Sequence, residues 1–348
     1  MTRKLLNLLS LPILCLSLTL GAQDVHFSHI HASPTLLNPS MTGLINGDLR
    51  LIANTRSQWQ SVTRGYHTAA GAADMKLFTF VNGDVLGGGL QVYTDRAGDV
   101  DFKTNLVGGA ISYMKSLNGR RGGNYVSFGV QASRVTNGID INKIVAFDYE
   151  PSIQNGADNR INYLDVTAGI SWFYTVSKQT NFHLGAAVSH LNRPLVSFFE
   201  EQGVTQDLLL YRKLTLHGGG DIQLNRKSSL RPSFIFKDQG PHQEITIGSF
   251  WKYKTSNDFR SDHPTSLYFG AWIRWHAERD IAGTDALVAA VRFDYKKTYL
   301  TFTFDINVSS LTRVSYGSGG PEFSIVQLLD FNNRSRRPVK VQCPAFSY

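Results

Sequence analysis

The sequence has very little cysteine and no long apolar run beyond its first residues. Only two of its 348 residues are cysteines, Cys15 and Cys343. Outside residues 5–20, no stretch approaches the roughly 20 apolar residues that a membrane-spanning helix needs. This absence excludes a helical membrane protein. No segment has a sustained 3.6-residue period, so the pattern predicts an all-β protein.

The N-terminus has the features of a secretory signal peptide. Arg3 and Lys4 precede the apolar run, and the small residues Gly21 and Ala22 follow it. We expect residues 1–22 to be the signal, with cleavage after Ala22; a retained membrane anchor is the alternative. Because cleavage would leave Cys343 alone, an internal disulfide is excluded, and hydrogen bonding and packing must hold the fold together.

The charge balance argues against one class of partner. The formal net charge is +8, and two of the positive charges belong to the predicted signal. The sequence shows no basic stripe interleaved with aromatic residues, which nucleic-acid binding surfaces commonly have. We therefore expect no nucleic-acid partner.

Strict alternation of apolar and polar residues is the strongest pattern in the chain. Residues 300–308 place leucine, phenylalanine, isoleucine and valine at every second position, with threonine, aspartate and asparagine between them. A period of two is typical of a strand that meets two different environments. Comparable segments recur along the chain and predict about fourteen strands, an even number suited to a transmembrane barrel.

The connections between these segments alternate in length. One set is short or polar and contains Asn-Gly and Gly-Gly turns, whereas the other includes two long connections, residues 137–160 and 191–211. Outer-membrane barrels have short periplasmic turns and longer external loops. The pattern therefore favours a barrel in the outer membrane over a secreted two-sheet sandwich, which would explain the alternation alone.

Charged residues fix which face of each strand points inward. Placing Arg274, Arg292, Asp294 or Asp305 toward lipid would cost several kcal/mol each near the bilayer midplane. These side chains are predicted to face the lumen, and their neighbours to face lipid. Aromatic residues near strand ends are predicted to form an interfacial girdle: Trp59, Trp172, Tyr174, Trp251, Tyr253, Trp275, Tyr295 and Tyr299.

These patterns predict a four-part organisation. The signal peptide is followed by an N-terminal periplasmic segment, a transmembrane antiparallel β-barrel and a basic periplasmic tail. The predicted bounds are 1–22, 23–46, 47–328 and 329–348.

Few residues suggest catalysis or metal binding. His26, His29 and His31 lie close together, but no carboxylate or cysteine at ligand spacing accompanies them. Ser189 and His190 could serve a lipid hydrolase, yet adjacent strand residues point to opposite faces. We predict no enzyme activity, no cofactor and no metal. The glycine clusters at 87–89 and 218–220 match no phosphate-binding loop and are interpreted as relief of crowding or as points that permit a sharp bend.

The C-terminal tail offers two interpretations. Arg334, Arg336, Arg337 and Lys340 make it basic, and Cys343 is the one cysteine of the expected mature chain. It is either a solvated tail or a docking segment for a periplasmic partner, in which charge supplies attraction and prolines supply stiffness.

Several motifs resemble the PorP/SprF family of the type IX secretion system. They are "QDVHFSHIHASPTLLNPSMTG" with Asn38 and Pro39, "NTRSQWQSV" with Trp59, "YTDRAGD", "SHLNRP", "FDINVSSL", "GSGGPEFSI" and the terminal Cys343-Pro344 followed by Phe346. Their order and spread cover nearly the whole expected mature chain.

The resemblance implies a non-enzymatic outer-membrane barrel. Its implied partners are outer-membrane lipid, the C-terminal domains of secreted proteins or surface adhesins, and periplasmic type IX components. A general or ligand-specific porin is the alternative function. The residues expected to contact partners are Asn38, Pro39, Trp59, Arg334, Arg336, Arg337, Cys343, Pro344 and Phe346.

Overall fold

The protein is a closed antiparallel β-barrel. In the computed structural model, fourteen strands of the described residues pair with their sequence neighbours, and β1 pairs with β14 to close the ring. This arrangement confirms the predicted fold class. The structure describes residues 27, 33–58, 65–98, 101–119, 123–139, 160–177, 180–196, 209–255, 265–278, 281–309 and 317–331.

Each predicted alternating segment corresponds to one strand. The closed ring leaves no unpaired strand edge, so every strand can satisfy its backbone groups within the sheet. The strands are β1 (Leu49–Gln58), β2 (Tyr66–Thr79), β3 (Val85–Ala97), β4 (Phe102–Ser116), β5 (Asn124–Gly138), β6 (Arg160–Ser177), β7 (Thr180–Ser189), β8 (Lys213–Gln223), β9 (Ser228–Gln239), β10 (His242–Lys254), β11 (Ser266–Glu278), β12 (Ile281–Tyr295), β13 (Thr298–Asn307) and β14 (Ser318–Leu329).

The two faces of the strands differ as the alternation predicted. On β13, Phe302 and Ile306 are exposed on the outer surface, whereas Thr303 and Asp305 are each only 1% exposed. The inward prediction also holds for Arg274, Arg292 and Asp294, which are all buried. The outer surface therefore carries an apolar layer that suits lipid, and the polar residues face the interior.

Aromatic residues lie on the outer surface in neighbouring pairs. Trp172 stacks on Tyr174 and Phe293 on Tyr295, with centroid distances of 5.9 and 6.4 Å. Tyr299 is an exception to the predicted girdle. It is buried in the interior beneath the Arg292 guanidinium, because its position on β13 has the inward parity.

The connections fall at two ends of the barrel. The end that holds both Asp48 and Asp330 carries the tight turns at 80–84 and 296–297, and we call it the short-turn end. The opposite, long-loop end carries the connections between β5 and β6 and between β7 and β8. The alternation of connections along the sequence therefore corresponds to two physical ends.

Residues 33–45 form a compact piece of chain inside the barrel, here called the lumen segment. It contains one helical turn, Pro34–Leu37, and one 3-10 turn, Pro39–Met41. No helix of the described residues is long and apolar enough to cross a membrane. The lumen segment belongs to the stretch 23–46 that was predicted to be periplasmic. It packs inside the wall, where its polar groups find partners on seven strands, β1, β2 and β4 to β8.

Candidate functional site: a segment bound inside the barrel

Two prolines and an asparagine set the local structure of the lumen segment. Pro34 and Pro39 each stand at the first position of their turns, where a fixed φ favours helical geometry and a missing N–H costs nothing. Asn38 caps the second turn, because its Oδ1 accepts from the Ser40 backbone N–H at 2.9 Å and from the Ser40 hydroxyl at 2.7 Å. The backbone N–H can only donate, so this contact fixes the orientation of the amide.

The Asn38 amide nitrogen joins the segment to three strands at once. It lies 3.1 Å from the main-chain oxygen of Ile170 and from the Ser171 Oγ on β6. It lies 3.2 Å from the main-chain oxygen of Ala186 on β7 and 3.0 Å from His217 Nε2 on β8. Asn38 is fully buried, so its two N–H groups are shared among these wall acceptors without competition from water.

Backbone groups of the segment are also paired with the wall. Ser127 donates its hydroxyl to the main-chain oxygen of Ser40 at 2.7 Å, and Ser112 donates to that of Thr42 at 2.6 Å. The hydroxyls of Ser40 and Ser171 are 2.6 Å apart. Serines on β4, β5 and β6 thus act as inward-facing partners of a non-strand backbone, which satisfies groups that would otherwise be costly to bury.

Glycines in the wall make room for the segment. A Cβ added to Gly169 would lie 2.0 Å from Asn38 Oδ1, and one added to Gly129 would lie 2.3 Å from the carbonyl carbon of Pro39. A Cβ on Gly87 would lie 2.4 Å from the Thr42 oxygen. These distances leave no space for any side chain. The interpretation of the 87–89 cluster as relief of crowding is therefore confirmed at Gly87.

A buried ion pair holds the point where the segment joins β1. Arg50 Nε and Nη2 donate to the Asp74 carboxylate at 2.8 and 2.7 Å, and Asp74 also accepts from the Gly43 N–H at 2.7 Å. Arg50 Nη2 reaches the Met41 oxygen at 3.3 Å as well. Gly43 has φ +69° and packs directly on Gly87, so this corner requires glycine.

Apolar packing adds to these polar contacts. Met41 and Leu44 of the segment contact inward-facing residues near the short-turn end, and Leu37 packs against the same group. The wall residues of this cluster are Val85, Met114, Tyr125 and Phe173. The segment is therefore held by both hydrogen bonds and an apolar core, as a docked element of the fold would be.

The other half of the interior is filled by side chains of the wall itself. Phe250 lies edge-on to Tyr268 and Trp272, with centroid distances of 5.8 and 4.7 Å. Trp272 Nε1 donates to Ser233 Oγ at 3.0 Å, and the Tyr268 hydroxyl donates to Asp294 at 2.6 Å. These inward groups are buried, so in this half of the barrel side chains of the wall pack against one another.

A buried charge cluster lies toward the long-loop end, near the strands that close the ring. Asp305 on β13 accepts from Arg56 of β1 at 2.8 Å and from Arg274 of β11 at 3.0 Å. Arg274 Nε also donates to Asp285 of β12 at 2.7 Å. Arg56 and Asp305 belong to two of the motifs quoted above, "NTRSQWQSV" and "FDINVSSL". The cluster links β1 to β11, β12 and β13 across the closing strand β14.

A second kind of polar cluster organises a turn at the short-turn end. Asp84 accepts from the Tyr113 hydroxyl at 2.6 Å, the Ser116 N–H at 2.9 Å and the Lys115 ammonium at 3.0 Å. Burial acts to raise the pKa of Asp84, but the donors outweigh it and lower the pKa to about 2 from an ordinary value of 3.8.

The structure describes only part of the sequence-predicted site. Asn38 and Pro39 lie together in the lumen segment, where they contact the inner wall. The other proposed contacts and the N-terminal histidines lie outside the described residues: Trp59, Arg334, Arg336, Arg337, Cys343, Pro344, Phe346, His26, His29 and His31.

The histidines of the strands have structural partners. His183 and His217 are buried on the lumen side of β7 and β8, and their ring centroids are 6.0 Å apart. His190 Nδ1 lies 2.9 Å from Asp165 Oδ1, and both residues are buried. No group of three or more histidine, cysteine or acidic residues within the described ranges is arranged to hold a metal ion.

The main residues that sequence reasoning missed are the wall partners of the lumen segment. Ser127, Ser171 and Asp74 were simply inward-facing polar positions in an alternating strand. Gly129 and Gly169 gave a weak signal, because glycine inside a strand often marks a close approach of another backbone. Nothing local indicated which backbone would approach.

Several solved structures are similar to this chain at low sequence identity. The monoaromatic hydrocarbon channel CymD matches with a TM-score of 0.47 at 10% identity, covering 87% of this chain and 94% of that chain. A TodX monoaromatic hydrocarbon channel mutant has a TM-score of 0.46 at 8% identity, covering 85% and 92%. CdiB from Acinetobacter baumannii has a TM-score of 0.43 at 10% identity, covering 80% of this chain but only 60% of the CdiB chain.

A match to a protein-family model identifies the family of this chain. No curated protein sequence matches the chain. The model described as type IX secretion system membrane protein PorP/SprF matches residues 19–325, a span that includes the lumen segment and almost the whole barrel. The chain therefore belongs to the PorP/SprF family of type IX secretion system membrane proteins and is an outer-membrane β-barrel.

Proposed function

We propose that this protein is a non-enzymatic barrel of the type IX system that supports secretion or surface retention of cargo without acting as a diffusion pore. The observation that carries the proposal is the filled interior. The lumen segment occupies the half of the barrel formed by β1 to β8, and buried aromatic and charged side chains occupy the other half. A scaffold needs a rigid barrel with exposed loops, whereas a diffusion channel needs a continuous water path.

The two ends of the barrel suit different contacts. The long-loop end carries the two long connections, and we propose that it faces outward and contacts the C-terminal domains of secreted proteins or surface adhesins. The short-turn end would then face the periplasm, where the tail at 329–348 and the segment before residue 33 would meet type IX components. Basic residues of the tail would attract an acidic partner surface.

The absence of catalysis is part of the proposal. His190 follows the last residue of β7, and its Nδ1 lies 2.9 Å from Oδ1 of the buried Asp165. In this proposal the pair holds the chain at the strand end and takes part in no reaction. A buried histidine–carboxylate pair at a strand end also has a structural use. The neighbouring Asn192 accepts from the Val166 N–H and donates to the Leu164 oxygen, which extends this corner.

Conductance separates a scaffold from a porin. Purified protein in planar bilayers should give no steady ion current, and a variant lacking residues 33–45 should give one, because half of the interior would be emptied. Steady conductance by the unmodified protein would support the porin. An Asn38→Ala variant, which retains the segment, is the matched control for folding.

A cellular experiment tests the secretion role. Deleting the gene should release surface adhesins or block their export, and re-expression of the full chain should restore them. Cells that keep all surface adhesins after deletion would contradict the proposal. Restoration by the variant lacking residues 33–45 would show that the lumen segment serves closure and not cargo attachment.

A further inference from the structure

We propose that the cluster around Tyr268, near the short-turn end, is an anion site that takes a single carboxylate group. Three cationic side chains face one ring: the Arg231 guanidinium at 5.0 Å, the Lys252 ammonium at 5.4 Å and the Arg292 guanidinium at 4.8 Å from its centroid. All three residues are at least nine-tenths buried.

Two carboxylates of the described residues answer these three charges. Asp221 accepts from Arg231 Nε at 2.7 Å, and Asp294 accepts from Arg292 Nε at 2.6 Å. Tyr268 itself donates its hydroxyl to Asp294. The count is three cations to two anions, which leaves one positive charge in excess. A buried charge that lacks a partner is strongly unfavourable, and it is relieved either by a bound anion or by loss of the proton from Lys252. In the proposed site, a bound anion relieves it.

Among the described side chains of the cluster, the cationic groups that lack a bonded anion are the Lys252 ammonium and the Nη1 nitrogen of Arg231. Within the described residues, the Lys252 ammonium lies over the Tyr268 ring and makes no ion pair. Arg231 Nη1 is buried and has no hydrogen-bond partner. Asp221 Oδ1 is buried as well and accepts from neither of these two nitrogens. An added oxyanion would receive the unused N–H groups.

The position of the cluster indicates the direction of access. Four members of the cluster lie near the short-turn ends of their strands: Asp221, Arg231, Lys252 and Tyr268. Buried aromatic rings border the cluster, with Phe250 edge-on to Tyr268. This setting fits one small carboxylate better than a bulky polyanion. The carboxylate could belong to a free metabolite or to an acidic side chain of a periplasmic protein.

Stability measurements in acetate test the site. The folded protein in detergent is unfolded with denaturant at rising acetate concentration, with ionic strength held constant by chloride. At ten times its Kd, a ligand that binds only the folded state raises the folded-to-unfolded ratio about 11-fold. We expect this gain in the unmodified protein and its loss in Lys252→Met, which keeps the apolar stem but removes the charge.

The controls separate the sources and the alternatives. Lys237→Met removes another lysine, one already paired with Glu244 at 2.9 Å, and should respond to acetate like the unmodified protein. A glutamate-rich peptide in place of acetate tests a carboxylate carried by a protein. Stabilisation by acetate alone identifies a small-anion site, and stabilisation by the peptide identifies a partner side chain.

Two results would overturn the proposal. One is an equal acetate response in the unmodified protein and in Lys252→Met, as expected if Lys252 is neutral in the fold. The other is independent of any variant. In crystals soaked in bromide, an anomalous peak should lie within hydrogen-bonding reach of Lys252 Nζ, and peaks only at other places would contradict the site.

Discussion

At the scale of single residues, the interior depends on glycines as much as on polar side chains. Gly169, Gly129 and Gly87 allow the lumen segment to lie against the backbone of the wall. Asn38 then uses the space by contacting acceptors on three strands. The hydrogen bonds of Asn38 therefore require that Gly169 in the wall has no side chain.

Substituting Gly169 tests this contact directly. In Gly169→Ala, the new methyl group would overlap Asn38 Oδ1, so we expect the variant to lose about 1–3 kcal/mol of unfolding free energy, the usual cost of overpacking. The measurement is the denaturant midpoint in detergent. Gly109→Ala is the control, because its methyl group would lie 3.6 Å from Leu90, an ordinary contact. Equal midpoints for the two variants would contradict the close approach.

Asp84 gives the fold a predictable dependence on pH. Its folded pKa of about 2 is below the ordinary 3.8, so the folded state favours the ionised form. The resulting stability is fully present above about pH 4 and is lost as the pH falls toward 2. We expect Asp84→Asn to be less stable than the unmodified protein at pH 7, and the difference to vanish near pH 2. A difference that is constant over this range would rule out the ionised carboxylate as its cause.

At the scale of elements, the strands were predictable and the lumen segment was not. A strand such as β13 shows its two environments within a few residues, because every second side chain meets lipid. The lumen segment is too short to show a helical period, and its contacts are distant in sequence. Asn38 and Ile170, for example, are separated by 132 positions. Pattern reasoning therefore found Asn38 and Pro39 through a family resemblance but assigned them to the outside of the barrel.

A cross-link tests the position of the lumen segment. Because the hydroxyls of Ser40 and Ser171 are 2.6 Å apart, Ser40→Cys with Ser171→Cys should form a disulfide under mild oxidation. The background should carry Cys343→Ser to remove the competing thiol. Mass spectrometry of proteolytic fragments detects the bond. Ser40→Cys with Ser233→Cys is the control pair, since Ser233 lies on β9 beside Trp272. A cross-link in the control alone would contradict the described placement.

At the scale of the whole molecule, the closure of the ring relies on charge as well as on strand pairing. Asp305 lies between Arg56 and Arg274 and links strands on both sides of β14. Sequence reasoning correctly turned Arg274 and Asp305 inward, because lipid excludes charged groups. It could not find the partner of Asp305 on β1, since Arg56 and Asp305 are 249 positions apart.

Removing the central carboxylate should weaken the whole barrel. Asp305→Asn would leave two buried guanidinium groups short of a counterion, and we expect a loss of about 3–5 kcal/mol. The readout is the temperature at which the folded form is lost on gel electrophoresis without boiling. Lys297→Met breaks an exposed pair with Asp330 at the short-turn end and should cost no more than about 1 kcal/mol. If both variants lose stability equally, the cluster has no special role in closure.

The lumen segment precedes β1 in the chain, and this order constrains how the protein can assemble. Its contacts come from β1 to β8, so an open half-sheet already offers it a complete docking surface. The remaining six strands complete the cylinder only when β14 reaches β1. A barrel that closed first would have to admit a folded piece through a packed mouth. We therefore expect the lumen segment to dock on β1 to β8 before the ring closes, so that the sheet curves around it.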